Sequence, residues 1–300
     1  MDAELTEDLD NYNNFKTKVM KLANGILRST TGTIGLIIIL IAIITAVFAP
    51  IIATHDPAQT NAIDRLIPPF WSENGSFAHI LGTDNLGRDV FSRIIYGSRI
   101  SLLVGLSAVF LAGIIGMFFG LIAGYYGKAW DFIIMRVVDS FLAIPNILFM
   151  LIILAIIGPS VMTIILVLGG TTWVVYARMV RSETLSIKEQ DYVKSAKAIG
   201  AKDYRILIKY IMPGVLPSFI VIATLNVATT IILEASLSFL GLGIQSPDVS
   251  WGLMLSDGRD YIATSWWVAT FPGLAITITV LGVIFLGDWL RDFLDPNIKD

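Results

Sequence analysis

Side chains that could carry out catalysis are scarce in this 300-residue sequence. Cysteine is absent, which excludes disulfides, thiolate metal ligands and cysteine nucleophiles. His55 and His79 are the two histidines, too few for a zinc site of the usual kind. Neither a phosphate-binding G-x-x-x-x-G-K-S/T motif nor an H-E-x-x-H motif occurs. We therefore predict a chain that is not an enzyme and that binds no metal or cofactor of its own.

The composition indicates a membrane protein. Charged residues make up 15% of the chain and hydrophobic residues 55%, whereas soluble domains contain about 25% charged residues. The net charge of −3 also excludes strong binding to nucleic acid through bulk electrostatics. A chain of this length could form two soluble domains or one polytopic membrane bundle. The lengths of its uncharged runs favour the membrane bundle.

Six uncharged or nearly uncharged runs are long enough to cross a bilayer, which takes about 20 residues. The predicted spans are 33–53, 99–124, 133–157, 160–181, 212–238 and 269–290. Gly158-Pro159 predicts a tight turn between the third and fourth spans. Pro145 lacks a backbone N–H, so we expect a kink in the third span. The fold class is therefore all-α, with six transmembrane helices.

The distribution of basic residues predicts the orientation. With the N-terminus in the cytosol, 16 of the 21 Lys and Arg residues lie on the inner side, as the positive-inside rule requires. The cytosolic parts are then segment 1–32, loop 182–211 and tail 291–300. The extracytoplasmic parts are segment 54–98, which precedes a transmembrane domain over 99–290, and loop 241–268.

The predicted spans contain no histidine and few acidic residues, of which Asp139 and Glu234 are the most notable. This number disfavours a proton-coupled carrier. A buried carboxylate needs a partner, so we expect Glu234 to pair with Arg93 or Arg99. Asp139 is three residues from Arg136 on one helix, which predicts a second structural ion pair.

Gly116, Gly120 and Gly124 lie four residues apart in the second span. Small residues at this spacing form a smooth helix face that lets another helix approach closely. Two interpretations remain open: fixed packing inside the bundle, or a face that slides during transport.

The loop 182–211 contains a predicted helix–glycine–helix unit. Asp191 is expected to cap a first helix with apolar positions Tyr192, Ala196 and Ile199. Gly200 is expected to end that helix in a left-handed conformation. Asp203 is expected to cap the second helix. The unit is interpreted either as an amphipathic hairpin resting on anionic lipid or as a docking site for a cytosolic partner.

The same segment resembles the EAA-x-x-x-G cytoplasmic loop of bacterial ABC importer permeases. Ala196 and Gly200 match the motif, while Lys194 and Ser195 replace its acidic residue and first alanine. Residues 79–102 and 238–296 resemble the peptide/nickel class, in particular its C-type permease subunit. The resemblance covers roughly residues 20–297 and implies the type I ABC importer permease fold.

The resemblance also implies a function and a set of partners. The chain would be a non-catalytic, multi-pass subunit in the bacterial inner membrane. It would pass dipeptides or oligopeptides from an extracytoplasmic binding protein into the cytosol. Its partners would be a homologous B-type permease, the binding protein and two ATPase subunits, which bind ATP and Mg. The alternatives are an ABC permease for nickel or another small solute, and an ATP-independent secondary carrier.

Residue roles follow from the same resemblance. The residues expected to contact the ATPase are Asp191, Tyr192, Lys194, Ser195, Ala196, Lys197, Ile199, Gly200, Ala201 and Asp203. The translocation path would lie between the two permeases, lined here by Asn146, Thr224, Asn226, Thr229 and Thr230. These polar side chains have an alternative use in helix–helix hydrogen bonds. The residues expected to contact the binding protein are Gln245, Asp248 and Arg259.

Overall fold

The computed structural model describes residues 25–294. Within that range the chain forms helices, turns and one isolated β-bridge between Thr83 and Asp89, with no strand. The all-α prediction is confirmed. Most of the predicted cytosolic segments 1–32 and 291–300 falls on residues 1–24 and 295–300, which lie outside the described residues.

The α-helices of the described residues have mostly short connections, apart from the long segment 53–89. They are α1 Thr30–Val47, α2 Ala49–Ile52, α3 Val90–Tyr126, α4 Lys128–Ala143, α5 Asn146–Ile157, α6 Val161–Ile187, α7 Asp191–Ala198, α8 Asp203–Ile206, α9 Met212–Phe239, α10 Trp251–Gly258 and α11 Trp267–Leu294. A π-helical turn over Leu207–Ile211 joins α8 to α9. α3 packs most extensively against α6, and α11 packs against α1 and α9.

Five helical stretches are long and apolar enough to cross a membrane: α1, α3, α6, α8 with α9, and α11. The pair α4 and α5 passes the same test together but is bent by 87°, and counting it as one span gives six. The predicted single helix 133–157 is therefore wrong, because the expected kink is a complete break. Ile144 is extended, as residues before proline usually are, and Pro145 cannot continue the hydrogen-bond ladder.

Helices α3 and α6 extend well beyond their predicted spans. α3 begins at Val90 rather than at residue 99, because the Asp89 side chain accepts a hydrogen bond from the Ser92 amide at 2.8 Å and caps the helix there. α6 continues to Ile187, beyond the predicted end at 181. The predicted turn at Gly158-Pro159 is confirmed, and Gly158 has a positive φ of 93°.

The glycine face of α3 is a close-packing surface against α6. A Cβ atom added at Gly116 would lie 2.3 Å from the Tyr176 Cβ, and one at Gly120 would lie 2.6 Å from the Val180 Cβ. At these distances the two backbones touch with no side chain between them. The packing interpretation is confirmed, while sliding of this face stays a prediction.

Candidate coupling surface and polar clusters

α7 is a short helix whose end is fixed by Gly200. The glycine has a φ of 81°, and its amide donates to the Lys197 carbonyl at 3.0 Å. The Ala201 amide donates back to the Ala196 carbonyl at 3.1 Å, which completes the usual glycine helix end. A Cβ at Gly200 would meet nothing within 4 Å. The position therefore needs glycine for its backbone conformation and not for space, as the sequence predicted.

The buried face of α7 differs from the predicted one. Val193 and Ala196 are buried, and Val193 packs with Ile206 and Ile211 of the following turns. Tyr192 is half exposed and Ile199 is 83% exposed. Of the predicted apolar positions, only Ala196 is therefore correct. Residues three apart lie on the same face of a helix, so Ala196 shares its face with Val193. Ile199 follows the last helical residue and therefore does not continue that face.

Neither predicted acidic cap forms. The residues at the cap positions are Gln190 and Lys202, and no side chain caps either helix. Asp191 and Asp203 are instead the first helical residues, where a carboxylate still interacts favourably with the helix dipole. Asp203 also accepts a hydrogen bond from the Tyr125 hydroxyl at 2.7 Å.

A second contact attaches this unit to α3. The Lys188 ammonium, directly after α6, donates to the Gly124 carbonyl at 2.8 Å. Together with the contact from Tyr125 to Asp203, it places two hydrogen bonds between the last turn of α3 and the residues flanking α7. The unit of residues 188–211, called here the coupling unit, is thus held by α3 as well as by the helices it connects.

The outer surface of the coupling unit combines apolar and basic side chains. Ile199 and Tyr204 are exposed by 83% and 63%. The exposed basic residues of the unit are Lys194, Lys197, Lys202, Arg205 and Lys209. Asp191 and Ser195 are exposed as well, and Ala201 is half-buried. Such a mixed surface can bind a partner, and it holds no arrangement of a nucleophile beside a base.

Glu234 has serine partners and not the expected arginines. Its carboxylate is fully buried and accepts hydrogen bonds from Ser238 and Ser250, both at 2.8 Å, and from Ser101 at 3.4 Å. These serines belong to α9, to the cap of α10 and to α3. The hydroxyls satisfy the carboxylate without a cation, so the predicted pairing with Arg93 or Arg99 is wrong.

Arg93 belongs to a separate ionic cluster. Arg93 and Arg88 both form ion pairs with Asp84 and Asp257. The Arg93 guanidinium lies 3.2 Å from the Asp84 carboxylate and 3.1 Å from that of Asp257. The Arg88 guanidinium lies 2.6 Å from the Asp84 carboxylate and 2.9 Å from that of Asp257. Three members of the cluster are buried, and the Asp257 side chain is 27% exposed. Arg99 is exposed beside the Tyr96 ring. The cluster joins segment 84–93 to α10, a link across long sequence separation that local spacing cannot show.

The predicted pair of Arg136 and Asp139 does not form. Both side chains are exposed, and the Arg136 guanidinium lies over the Phe132 ring, 5.2 Å from its centre. A ring four residues away on the same helix offers this contact without fixing two charged side chains. Asp131 instead pairs with Arg181 of α6, with a second hydrogen bond of 2.7 Å, a pair that was not predicted.

The predicted path residues fall into two groups. Asn146 and Thr229 are exposed, and Thr224 is partly exposed while donating to the Ile220 carbonyl. Asn226 donates to the Ile222 carbonyl at 3.0 Å, and Thr230 donates to the Asn226 carbonyl at 2.7 Å. Thr230 is 2% exposed, so its side chain cannot line a path on the surface of this chain, and that assignment is wrong.

The three residues predicted to contact a binding protein are all exposed. Gln245 and Asp248 lie in the connection between α9 and α10, and Arg259 follows α10. The Arg259 guanidinium lies 5.8 Å from the Phe239 ring centre at the end of α9. Their predicted role stays a prediction.

The long apolar helices and the short helix–glycine–helix unit between α6 and α9 are features of a polytopic membrane permease. Residues 116–300 match the family model of the binding-protein-dependent transport system inner membrane component. Residues 26–69 match the N-terminal transmembrane domain of oligopeptide transport permease C. The chain therefore belongs to this family, as a C-type permease of an ABC importer.

Similar proteins cover nearly the whole chain. It is 45% identical over 272 residues to the dipeptide transport system permease protein DppC of Alkalihalophilus pseudofirmus, covering 91% of this chain and 88% of the relative. It is 40% identical over 266 residues to the di/tripeptide transport system permease protein DppC of Pseudomonas aeruginosa, covering 89% and 88%. An inward-facing structure of the MetNI methionine ABC transporter matches with a TM-score of 0.55 and 20% identity, over 68% of this chain and 96% of the other. That structure supports the fold alone.

Proposed function

We propose that this chain passes dipeptides or short oligopeptides through the inner membrane as one of two permease subunits of an ATP-driven importer. The observation that carries the substrate class is the 45% identity to a dipeptide permease over 91% of the chain. The family accounts for partner subunits in general. The particular assembly proposed is a B-type permease, two ATPases that bind ATP and Mg, and an extracytoplasmic peptide-binding protein.

The coupling unit is the proposed contact with an ATPase subunit. Its exposed residues Tyr192, Ile199 and Tyr204 would enter an apolar groove, and the basic residues around them would face acidic groups at the groove edge. Val193 anchors α7 to Ile206, Ile211 and Val215, and Val215 lies in the first turn of α9. A displacement of α7 would therefore carry the start of α9 with it. Closure of the ATPases would in this way tilt the spans.

The proposed path lies between this chain and the second permease. Thr224, Thr229 and Asn146 remain candidates for its wall because their side chains are at least partly exposed. Both termini are proposed to be cytosolic, which puts the coupling unit on the ATPase side. Gln245, Asp248 and Arg259 would then face the binding protein on the other side.

The test is transport by the purified complex in proteoliposomes. We expect uptake of a labelled dipeptide that requires the binding protein and ATP hydrolysis, and ATPase activity that rises with the peptide-loaded binding protein. Nickel should have neither effect. Flux of the dipeptide down its gradient through this chain alone, without ATP, would overturn the proposal. Stimulation by nickel and not by peptide would overturn the substrate class.

A further inference from the structure

Three potential metal ligands meet beside the first turn of α3. His55 follows α2, His79 lies in a turn of segment 54–89, and Asp89 caps α3. The His79 Nδ1 is 2.9 Å from the Asp89 Oδ1, and the His55 Nδ1 is 3.9 Å from the same oxygen. One ligand atom from each residue lies within 4.8 Å of the other two.

These separations fit a common metal ion. Imidazole nitrogens and carboxylate oxygens bind zinc at about 2.0–2.2 Å, which places tetrahedral ligands about 3.3 Å apart. The observed distances of 2.9 and 3.9 Å bracket that value. Small rotations of the His55 ring would therefore bring the three atoms to bonding distance of one ion. Two histidines and one carboxylate also form a common ligand set with open positions for water.

The surroundings of the three side chains suit a cation. They line a polar cavity of about 240 Å³ whose wall also contains Asp56 and Asp64. The Asp89 side chain is 1% exposed and that of His79 11%, while that of His55 is 35% exposed. The cavity is thus closed on the Asp89 side and reachable from solvent past His55.

A hydrogen bond between His79 and Asp89 accounts for only part of this arrangement. It leaves unexplained why the His55 ring lies beside the same carboxylate, with its centre 4.7 Å from the centre of the His79 ring. His55 Nδ1 contacts the Thr54 hydroxyl at 2.9 Å, a contact that metal binding would replace. The other Asp89 oxygen, Oδ2, accepts from the Ser92 amide, so capping does not use Oδ1, the oxygen that faces the two histidines.

We propose that His55, His79 and Asp89 bind one divalent transition-metal ion, of which Zn²⁺ is the best match to the ligand set. The ion would link His55, shortly after α2, to the first turn of α3. The sequence-based expectation of no metal site counted histidines and did not foresee that the capping carboxylate of α3 supplies the third ligand. This site is independent of the proposed peptide transport and does not require a metal to be carried across the membrane.

The test is direct metal binding by the full chain in detergent, purified through a tag without histidine and stripped with EDTA. We expect one Zn²⁺ per chain by elemental analysis and calorimetry, and a higher Tm when Zn²⁺ is added. The variants H55Q, H79Q and D89N should each lose at least about tenfold in Zn²⁺ affinity, since even the loss of a residue that only supports a ligand costs that much. Asparagine still caps a helix, so D89N should keep its fold.

The matched control is D64N, which removes a carboxylate from the same cavity wall without removing a ligand. It should keep one Zn²⁺ per chain. H55Q changes a partly exposed side chain, so circular dichroism should show an unchanged helix content. Absence of stoichiometric Zn²⁺ from the unmodified chain would overturn the proposal. Unchanged affinity in H55Q would do so as well, because His79 and Asp89 would then be a hydrogen-bonded pair only.

Discussion

The contact between α3 and α6 gives the sharpest prediction for stability, through the substitution Gly116→Ala. The added Cβ would lie 2.3 Å from the Tyr176 Cβ, 2.7 Å from the Trp173 carbonyl oxygen and 2.9 Å from the Ala177 amide nitrogen. Two of these atoms are backbone and cannot rotate away, so α3 and α6 must separate locally by up to about 1 Å. A gap of that size forfeits about a quarter to a half of the dispersion energy of the atoms facing it.

Overpacking of this kind typically costs about 1–3 kcal/mol. Alanine regains about 0.5–1 kcal/mol of helix propensity over glycine. The expected net loss therefore has a central value of about 1 kcal/mol. In thermal unfolding of the full chain in detergent, the Tm should fall by at least about 2 °C. The matched control is Gly170→Ala on α6, where an added Cβ meets nothing within 4 Å and the Tm should hold or rise. An equal or higher Tm for Gly116→Ala would refute the packing argument.

Three further substitutions test other contacts. Glu234→Ala leaves buried serine hydroxyls without their acceptor and should destabilise the chain by at least about 2 kcal/mol in thermal unfolding. Ser236→Ala changes a partly exposed serine two residues away that does not contact Glu234, and it should have little effect. Arg93→Ala removes one cation from a buried cluster and should lower the free energy of unfolding by about 3–5 kcal/mol. Arg99→Ala changes an exposed side chain and should alter it by no more than about 0.5 kcal/mol. Equal losses for the two variants would contradict the assignment of Arg93 to the cluster. Gly200→Val places a β-branched side chain in a left-handed backbone conformation and should reduce the peptide-stimulated ATPase activity of the complex. Asparagine tolerates this conformation, so Gly200→Asn should keep more of that activity.

Local sequence signals predicted much of the fold. The uncharged runs predicted the position of every long helix, because the thickness of the bilayer sets the length of helix needed to cross it. Gly200 marked the end of α7 because few other residues adopt a positive φ there. Helix ends were less accurate where charge was taken as the boundary. α3 starts before Arg93, since a charged residue remains in a helix when its partners surround it.

Contacts between residues far apart in the sequence could not be predicted from local patterns. The partners of Glu234 come from positions 101, 238 and 250, and only Ser238 lies within one helical turn of it. The prediction assumed that a buried carboxylate needs a cation, but three hydroxyl donors serve as well. The meeting of His55 and His79 at Asp89 depends in the same way on how segment 54–89 folds back on α3.

The length of α3 has a consequence for how the two faces of the bundle communicate. At 37 residues it is about 55 Å long, well above the roughly 30 Å of the hydrocarbon layer. One end begins at the Asp89 cap and the other reaches the coupling unit through Tyr125. A continuous rod that tilts about its middle moves its two ends in opposite directions. In the proposed mechanism, α3 would couple the two membrane faces by tilting as one rigid helix, and no relay of successive side-chain rearrangements would be required.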